Sequence, residues 1–574
     1  MGKKKDTAVD KKEAAIELAE INRQLEEIDK VTEFIDAPMK LWSGKWCCDG
    51  TGVYKLLPSK NDPDLLVRVE ASHQQIMPTG IVENIETGEQ RYIISFSVKR
   101  NNQFVWKTVK VEPAICCSKS KIVSLSNLGV AVNDNTAKYL VAYIADMFRL
   151  NQDGLPVSRS ISRLGWVKNE FFPYSPDIVF DGDNEQGKVV QSIKREGSFE
   201  VWKAECLSYR KNLTVRLIMA SSFASVLINK IGGLCFSAHF WGASGVGKTV
   251  GLIVAASIWG EPDQLYVSVD ATLNFFTNRS AFMGSLPMLI DEAQLDKNII
   301  DKLIYALAEG KTRGKLDRSS REKENKTWEN VSVFTGEAPI VKASSGAGAI
   351  NRVLEIEISG ALFKDFTQTL DIVRSNYGHA GTEYIKYLQR ADTMELKREY
   401  RDICKELEAS DSTGKQIQNL AFLILADRIA GRCIFTDEEE LNVSQWTEVM
   451  KSKKEVSTAE RAYHFIIDWI AANENYFSET SPKIYGTVTK DYCLFNRGEL
   501  LRVLSDNNFD FDAVKKEWAD LRYLEKTCQG KYAFLTTVGS KETKAYYAKV
   551  LFREETILND FEDVIDYQEK LTFV

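Results

Sequence analysis

Positive charge is scarce in this chain of 574 residues. Lysine and arginine number 74 against 81 aspartates and glutamates, which gives a formal net charge of −7. This balance excludes a protein that holds nucleic acid by bulk positive charge, although it leaves room for local basic surfaces. The length predicts roughly three or four domains. With 44% hydrophobic and 27% charged residues, these are expected to be globular domains rather than disordered or fibrous segments.

Zinc-site and membrane signals are also missing. The ten cysteines include adjacent pairs at Cys47–Cys48 and Cys116–Cys117, but no CxxC motif and no Cys/His cluster with zinc spacing occurs. No run of about 18 apolar residues is present that would cross a membrane. The first residues lead into a charged segment instead of a secretory signal, and Asp6 stands where N-myristoylation needs Ser or Thr. The prediction is a cytoplasmic protein with reduced, mostly buried thiols and no membrane partner.

The strongest motif is a glycine-rich loop. It reads Gly-Ala-Ser-Gly-Val-Gly-Lys-Thr and fits the pattern GxxxxGK[ST]. The apolar run Cys235–Trp241 before it predicts a strand, and Thr249–Trp259 after it predicts a helix. In such a loop, backbone N–H groups and the helix N-terminus bind phosphates. Lys248 is expected to reach the β- and γ-phosphates of ATP, and Thr249 to bind Mg²⁺. The predicted nucleotide-binding residues are Gly242, Ala243, Ser244, Gly245, Val246, Gly247, Lys248 and Thr249.

Carboxylates follow the next apolar run. Asp291 and Glu292 end the segment Leu-Pro-Met-Leu-Ile, which is typical of a buried strand. Asp291 is predicted to hold Mg²⁺ through water, and Glu292 to orient and activate the attacking water. The second acid favours a hydrolase over a kinase-like protein. Thr335, at the end of a third strand, is the candidate for sensing the γ-phosphate, and Glu337 is the second choice.

Two arginines are candidates for completing the site of a neighbouring subunit. Arg352 directly precedes the predicted strand Val353–Ile358. An arginine at such an edge can stabilise the transition state of phosphoryl transfer in the adjacent subunit. It can equally be a surface residue that caps its own strand, and the sequence leaves both interpretations open. Arg313 is the second candidate for contacting nucleotide across a subunit boundary.

The segment 311–326 carries a local positive charge. Seven basic and three acidic residues give it a net charge of +4. Because it precedes the Thr335 strand, it is placed to form a hairpin that grips DNA phosphates in a ring channel; a solvated basic loop is the alternative. The predicted DNA-binding residues are Lys315, Arg318, Arg321 and Lys323.

The C-terminal region predicts a winged helix. Arg497–Ser505 and Phe511–Leu521 have helical patterns, and Tyr523–Thr527 with Tyr532–Thr536 predict a hairpin around Gln529-Gly530. Such a domain binds either DNA or a protein partner.

An ordered set of motifs resembles one family, the Cch-type AAA+ helicases of staphylococcal cassette chromosome elements. These are similar to the minichromosome-maintenance helicases and to phage-borne ATPases of the same domain family. The matching segments are Arg163-Leu-Gly-Trp166, Gly197-Ser-Phe-Glu-Val-Trp202, Phe240-Trp-Gly-Ala-Ser-Gly-Val-Gly-Lys-Thr249, Ala256-Ser-Ile-Trp-Gly260, Leu286-Pro-Met-Leu-Ile-Asp-Glu292, Glu309-Gly-Lys-Thr-Arg-Gly-Lys315, Phe334-Thr-Gly-Glu337 and Asn376-Tyr-Gly-His-Ala-Gly381. The resemblance implies a hexameric ring that hydrolyses ATP with Mg²⁺ between subunits, translocates on single-stranded or forked DNA and works with replication proteins. Arg374 is the candidate lid sensor, and His379 matches the family without an evident physical role.

The predicted fold class is multidomain α/β. It consists of an AAA+ P-loop ATPase core, an α+β N-terminal domain, a helical lid region and a C-terminal winged helix. The predicted boundaries are 1–40 for an N-terminal helix, 41–204 for the α+β domain, 205–360 for the core, 361–477 for the helical lid or linker, and 478–574 for the winged helix. The predicted function is an ATP-driven DNA helicase of a mobile genetic element. The alternative is an ATP-gated assembly or remodelling factor whose winged helix recruits protein partners.

Overall fold

The computed structural model describes residues 30–59, 65–101, 103–293, 297–316, 322–323, 325–341, 345–436, 440–478, 483–538 and 544–553. They fall into two units. The first comprises the chain up to Arg163 together with Phe172–Val190, and the second comprises Leu164–Phe171 together with everything from Gln191 onward. Most of the N-terminal helix predicted within residues 1–40 lies outside the described residues. Its last part is not helical, because the Thr32 N–H bonds to the Leu41 carbonyl at 2.9 Å and Val31 pairs with Trp42.

Two sheets form the first unit. One is antiparallel with three strands in the order β1-β2-β3, and the other has five strands in the order β10-β7-β4-β5-β6. The first ten strands of the chain are β1 Cys47–Asp49, β2 Gly52–Pro58, β3 Leu66–Ser72, β4 Ile76–Asn84, β5 Gln90–Arg100, β6 Gln103–Val111, β7 Val157–Ile161, β8 Gly165–Val167, β9 Glu170–Phe172 and β10 Ile178–Phe180. The alternation of apolar and polar residues over Tyr92–Val98 and Val105–Val111 predicts two strands, and β5 and β6 confirm them.

One long helix packs against β3 and β4, which belong to different sheets. The helical spacing of Leu140, Ile144 and Phe148 predicts it, and the structure has this helix, α3, over Asp134–Leu150 with a capping box between Asn133 and Thr136. Its buried face, which includes Leu140 and Ile144, packs into the core of the unit. The first four helices are α1 Pro113–Cys116, α2 Lys119–Ile122, α3 and α4 Asn184–Ser192, with a 3₁₀ turn at Val123–Leu128.

A parallel sheet of five strands organises the second unit, with the order β12-β13-β16-β11-β17. The strands that follow in the chain are β11 Phe236–Gly242, β12 Tyr266–Ser268, β13 Met288–Asp291, β14 Lys315–Leu316, β15 Glu322–Lys323, β16 Val331–Gly336 and β17 Val353–Ile358. All six residues of β16 are buried. Such continuous burial is typical of a parallel strand covered on both faces.

Helices connect these strands and continue beyond them. They are α5 Phe199–Tyr209, α6 Leu213–Ile231, α7 Lys248–Ser257, α8 Leu273–Met283, α9 Lys297–Ala308, α10 Ala347–Ile350, α11 Phe366–Ser375, α12 His379–Arg390, α13 Thr393–Leu407, α14 Gly414–Cys433, α15 Lys453–Val456 and α16 Thr458–Ala472. Short 3₁₀ turns lie at Pro262–Gln264, Val443–Val449 and Glu474–Phe477. Within the described residues, α6 is the one helix long and apolar enough to cross a membrane by length and composition, and 83% of its apolar window is buried inside the protein.

A buried ion cluster joins α6 to α14. Asp427 on α14 accepts hydrogen bonds from Arg210 at 2.6 Å and from the Nε of Arg216 at 2.8 Å. The Asp427 side chain is 1% exposed, and those of Arg210 and Arg216 are 0% and 6% exposed. Removing one member of such a cluster leaves buried charge without its counterion.

We therefore expect the Asp427→Asn variant to lower the free energy of unfolding by about 3 kcal/mol or more. Denaturant titration followed by tryptophan fluorescence measures this change. The matched control is Asp263→Asn, because the Asp263–Arg374 pair is 43% exposed on both sides. An exposed pair contributes less than about 1 kcal/mol. Equal losses in the two variants would contradict a stabilising role for the buried cluster.

The C-terminal part has its own sheet and core. Its elements are β18 Gly486–Val488, β19 Tyr492–Asn496, α17 Arg497–Asp506, α18 Phe511–Asp520, β20 Phe534–Thr536 and β21 Ala545–Leu551, and the strand order is β18-β19-β21-β20. Helix α16 contributes Tyr463 and Ile466 to the same core. The two predicted helices are confirmed.

The turn of the predicted hairpin forms, since the Thr527 N–H bonds to the Lys531 carbonyl at 2.8 Å, but the predicted pairing of Tyr523–Thr527 with Tyr532–Thr536 as strands is wrong. Strand β20 pairs with β21 instead, and Leu524 forms an isolated bridge with Val550. Tyr523 and Leu524 are 1% and 2% exposed. Their N–H groups both bond to the Trp518 carbonyl, at 2.6 and 3.1 Å, which ends α18 and holds them in the core.

Candidate functional site

The glycine-rich loop connects the end of β11 to the start of α7. Gly245 and Gly247 have φ angles of +82° and +96°, which only glycine adopts readily. A Cβ on Gly242 would lie 2.6 Å from the Ile358 carbonyl oxygen, and one on Gly247 would lie 2.6 Å from the Phe366 ring. The glycines therefore allow a tight loop whose last residue begins a helix. The N–H groups in the first turn of a helix are available to an anion.

Lys248 lies against its own loop. Its ammonium donates hydrogen bonds to the carbonyl oxygens of Gly242 at 2.8 Å and Ala243 at 2.7 Å. These two carbonyls hold the charged group beside the loop. The next residue, Thr249, points to the end of β13, where its hydroxyl lies 3.0 Å from Oδ2 of Asp291.

The carboxyl ends of β13 and β16 bring the predicted acids and the predicted sensor together. Ile290 pairs with Phe334, so Asp291 and Thr335 follow side by side at the same edge of the sheet. The Thr335 hydroxyl donates a hydrogen bond to Asp291. The Glu292 N–H lies 3.1 Å from Oδ1 of Asp291 and 3.3 Å from the Thr335 hydroxyl. One connected network thus links three residues that the sequence singled out separately.

Glu292 has an unusual backbone. Its φ is +58°, which is rare for a residue with a side chain. Such conformations cost on the order of 1–3 kcal/mol and cluster at functional sites. The following residue anchors the turn, because the Ala293 N–H bonds to the Thr335 carbonyl at 2.7 Å. The strained turn leaves the Glu292 side chain exposed at the pocket rather than in the sheet.

These residues line a pocket of about 270 Å³. Its lining is Ser244, Gly245, Gly247, Lys248, Thr249, Val250, Asp291, Glu292, Thr335, Gly336, Glu337 and Phe366. Phe366, the first residue of α11, could not be predicted from the sequence, because it belongs to no motif. The Thr249 hydroxyl and the Asp291 carboxylate are hard oxygen donors that face each other, and they are the ligand types that Mg²⁺ prefers. The pocket therefore combines a cation, an anion-binding helix start and carboxylates.

Arg352 lies at the opposite edge of the sheet. Its carbonyl accepts a hydrogen bond from the Ser237 N–H at 2.8 Å, at the start of β11, whereas Gly242 at the end of β11 pairs with Ile358. Six residues of strand separate Arg352 from that end, or roughly 20 Å. Its guanidinium donates to the Gly348 carbonyl at 2.7 Å and lies 5.0 Å from the Tyr305 ring centroid. Arg352 therefore does not reach the pocket of its own chain.

Arg313 lines a different cavity, of about 530 Å³, together with Tyr305 and Lys326. This cavity lies at the base of the basic segment. There Lys315–Leu316 and Glu322–Lys323 form a short antiparallel ladder, with Lys315 opposite Lys323. The described residues on the two sides of 317–321 thus pair as the two strands of a hairpin. Arg318 and Arg321 lie outside the described residues, and the side chains of Lys315 and Lys323 are not described either.

Arg374 and His379 have partners outside the pocket. Arg374 forms a bidentate ion pair with Asp263, at 2.9 and 3.0 Å. The His379 Nε2 lies 3.1 Å from the carbonyl oxygen of Glu196 and 3.2 Å from that of Gly197, and its ring stacks on Phe199 at 5.9 Å. The histidine thus has a structural role that the sequence did not reveal.

Three of the motif segments meet one another away from the pocket. Asn376 accepts a hydrogen bond from the Ser198 N–H at 2.6 Å. The Trp202 indole donates to the Ser257 hydroxyl at 2.8 Å, and the Ser257 carbonyl accepts from the Gly378 N–H at 2.8 Å. Segments 197–202, 256–260 and 376–381 therefore hold α5, the end of α7 and the start of α12 together. Sequence spacing alone does not reveal such contacts.

Comparison with known proteins gives two family matches. Residues 46–329 match the model described as a domain of unknown function, DUF927, and residues 457–553 match the Cch helix turn helix domain. No curated protein matches the chain.

Two solved structures are similar to different degrees. The chain shares 20% identity with the structure described as "SCCmec type IV Cch - active helicase", with a TM-score of 0.65 over 90% of this chain and 98% of that chain. The apo A form of the NrS-1 C terminal region shares 10% identity over 82% of this chain and 96% of that chain, and its TM-score of 0.28 is too low to support an inference. The chain is a multidomain α/β protein with a C-terminal helix-turn-helix domain of the Cch family and with the fold of a Cch protein, so the resemblance predicted from its motifs is confirmed.

Proposed function

We propose that the chain is an ATP-driven DNA helicase with an AAA+ P-loop core, working as a hexameric ring in the replication of a mobile genetic element. One observation carries the proposal. Lys248, Thr249, Asp291, Glu292 and Thr335, drawn from three separate motifs, surround one pocket at the carboxyl edge of a parallel sheet. In open α/β sheets, ligands bind at this edge. The fold likeness to an active Cch helicase agrees with this function.

The residues suggest a division of labour in hydrolysis. Backbone N–H groups of residues 243–249 bind the phosphates, and Lys248 turns from the loop carbonyls to the β- and γ-phosphates of ATP. Thr249 and Asp291 hold Mg²⁺, which when bound neutralises negative charge on the phosphates. Glu292 orients the attacking water and accepts its proton. Thr335, whose hydroxyl donates a hydrogen bond to Asp291, senses the γ-phosphate from the end of β16.

The position of Arg352 favours a role in the neighbouring subunit. It lies at the amino edge of the sheet, roughly 20 Å from the carboxyl edge that holds the pocket. In a ring, heterologous interfaces bring the edge of one subunit against a different edge of the next. Arg352 then completes the neighbour's site and stabilises the transition state. Arg313, at the base of the hairpin, is the second candidate for this role.

DNA binding is assigned to the hairpin and to the C-terminal winged helix. Residues 311–326 carry a local net charge of +4, and the described strands of this segment pair in a two-stranded ladder separate from the five-stranded sheet. A ring needs positive charge only along its channel, so the acidic surface elsewhere is compatible with DNA binding. Lys315, Arg318, Arg321 and Lys323 are the proposed phosphate contacts.

Neutralising three hairpin residues tests the DNA contact. We expect the Lys315→Ala, Arg318→Ala, Arg321→Ala variant to lose most of the stimulation of ATP hydrolysis by single-stranded DNA, about tenfold at physiological salt. The slope of log affinity against log salt concentration should also fall, because fewer counterions are released. Steady-state hydrolysis and fluorescence anisotropy at several salt concentrations measure both effects.

A second triple variant provides the control. Lys188, Lys386 and Arg398 are exposed and form pairs within their own helices, so their replacement by alanine removes the same charge elsewhere. This variant should keep the stimulation. If the hairpin variant also keeps the stimulation by DNA, the hairpin does not bind DNA. The alternative, an ATP-gated assembly factor whose C-terminal domain recruits proteins, is then favoured.

A further inference from the structure

Arg461 connects the C-terminal domain to a segment of the core. It lies in the first turn of α16, within the residues that match the Cch helix turn helix domain. Its Nη1 donates a hydrogen bond to the Ser345 carbonyl at 2.6 Å, across 116 residues of sequence. The Arg461 side chain is partly buried at this contact, and the burial lowers its pKa. Hydrogen bonds from a charged donor are among the stronger ones in proteins.

Ser345 starts the segment that leads to Arg352. It is 1% exposed, and its hydroxyl donates to Asp301 of α9 at 3.1 Å. Gly346 then caps the short helix α10, and Arg352 follows that helix directly. Ser345 is therefore fixed from two sides, by α16 of the C-terminal domain and by α9 of the core. The position of Ser345 therefore fixes the start of residues 345–351, which lead to Arg352.

The far end of the segment is held by helix α14. Gln416 donates to the carbonyl oxygens of residues 350 and 353, at 2.8 and 2.9 Å. The Tyr305 hydroxyl lies so close to the start that a Cβ on Gly346 or Gly348 would come within 3.0 or 2.8 Å of it. Arg352 itself bonds to Gly348 and packs over Tyr305. The direction of the Arg352 side chain thus depends on residues 345–348.

We propose that Arg461 is a positioning residue through which the C-terminal domain sets the direction of Arg352. The domain then has a role in ATP hydrolysis beyond binding DNA or proteins. This inference rests on the proposed function, because it requires Arg352 to act in the neighbouring subunit. Helix α9 also fixes the segment, because Asp301 accepts a hydrogen bond from Ser345 and Tyr305 packs against Arg352. Tyr305 also lines the cavity at the hairpin base, so the hairpin and Arg352 share this neighbour.

The first test replaces Arg461 with methionine, which keeps the length of the side chain and removes its hydrogen-bond donors. We expect kcat for ATP hydrolysis by the full-length protein to fall about tenfold, with KM within about twofold of wild type. Arg461→Lys retains one donor group and should recover part of the rate. Thermal unfolding is recorded for each variant, and Arg502→Met, a surface arginine of the same domain paired with Glu499, is the matched control.

The second test is a double-mutant cycle with Arg352→Lys, which leaves measurable activity. Because Arg461 acts through Arg352, the double variant should hydrolyse ATP no more slowly than Arg352→Lys alone. Asp301→Asn, which weakens the other hold on Ser345, should also lower kcat and leave KM unchanged. This variant keeps the test informative if Arg461→Met folds poorly.

Two results would overturn the inference while leaving the proposed function intact. If the losses of kcat in Arg461→Met and Arg352→Lys multiply in the double variant, Arg461 acts independently of Arg352. If Arg352→Lys is strongly defective while Arg461→Met and Asp301→Asn both turn over ATP normally, the inference is refuted but the proposed function is not. Normal turnover in Arg352→Lys would remove both the inference and the proposed role of Arg352 in the neighbouring subunit.

Discussion

The Lys248→Ala and Glu292→Gln variants are expected to abolish ATP hydrolysis in two different ways. Lys248→Ala removes the cation beside the phosphate loop, so nucleotide affinity and hydrolysis should both fall, the latter about 10³-fold. Glu292→Gln keeps the size and shape of the side chain but replaces one carboxylate oxygen with an NH2 group, which removes the base. Its kcat should fall about 10²- to 10⁴-fold while ATP is still bound. Coupled-enzyme assays and binding of a fluorescent nucleotide measure the two quantities.

The control for Glu292→Gln is Glu383→Gln. Glu383 is a surface carboxylate of α12 that pairs with Lys386, outside the pocket. Its replacement should leave hydrolysis within about twofold of wild type. Hydrolysis at the wild-type rate in Glu292→Gln would show that another group activates the water. Glu337, which lines the same pocket, is then the next candidate.

Arg352→Ala should lower kcat about 10³-fold without weakening ATP binding. The reason is geometric, because Arg352 lies at the edge of the sheet opposite its own pocket and therefore cannot contribute to ground-state binding there. The measurement is kcat and nucleotide affinity for the purified variant, compared with Lys248→Ala.

Mixing subunits tests whether Arg352 acts in the neighbouring subunit. In a ring assembled from Lys248→Ala and Arg352→Ala subunits in equal amounts, about a quarter of the interfaces combine an intact pocket with an intact arginine. The mixture should therefore hydrolyse ATP faster than either variant alone. A mixture no more active than its components would place Arg352 in a structural role, as the cap of its own strand.

The residues of the pocket could be predicted because the motifs are local. The phosphate loop, the acidic pair after β13 and the threonine of β16 each follow a buried strand, and the carboxyl ends of parallel strands meet at one edge. Phe366 could not be predicted, because it reaches the pocket from α11 through packing alone. The bonds of Lys248 to its own loop are likewise a property of the folded backbone.

The prediction of the C-terminal hairpin failed for a physical reason. Turn residues at Gln529-Gly530 suggested that Tyr523–Thr527 pairs with the strand after it. Burial of Tyr523, whose ring stacks on Tyr463 of α16 at 3.8 Å, holds this stretch against the helices instead. The partner of β20 is then β21, which lies further along the chain. The turn itself forms, because the Gly530 N–H bonds to the Thr527 carbonyl and the Thr527 N–H to the Lys531 carbonyl, both at 2.8 Å, but tertiary packing prevents the strands from pairing beyond it.

Long-range contacts explain the motifs that carry no chemistry. His379, Asn376 and Trp202 occur in segments that resemble the family, but their hydrogen bonds join parts of the chain that are distant in sequence. No periodicity or spacing encodes such a contact. Residues of this kind are recognised only when the fold brings their partners together.

Unwinding of a forked DNA duplex by the purified wild-type protein is the most direct test of the central claim. A fluorescently labelled fork is incubated with ATP and Mg²⁺, and the mass of the complex is measured in parallel. We predict ATP-dependent strand separation by an assembly of six copies, with none in Lys248→Ala. DNA-stimulated ATP hydrolysis by the wild-type protein without any separation of the fork would contradict a helicase function.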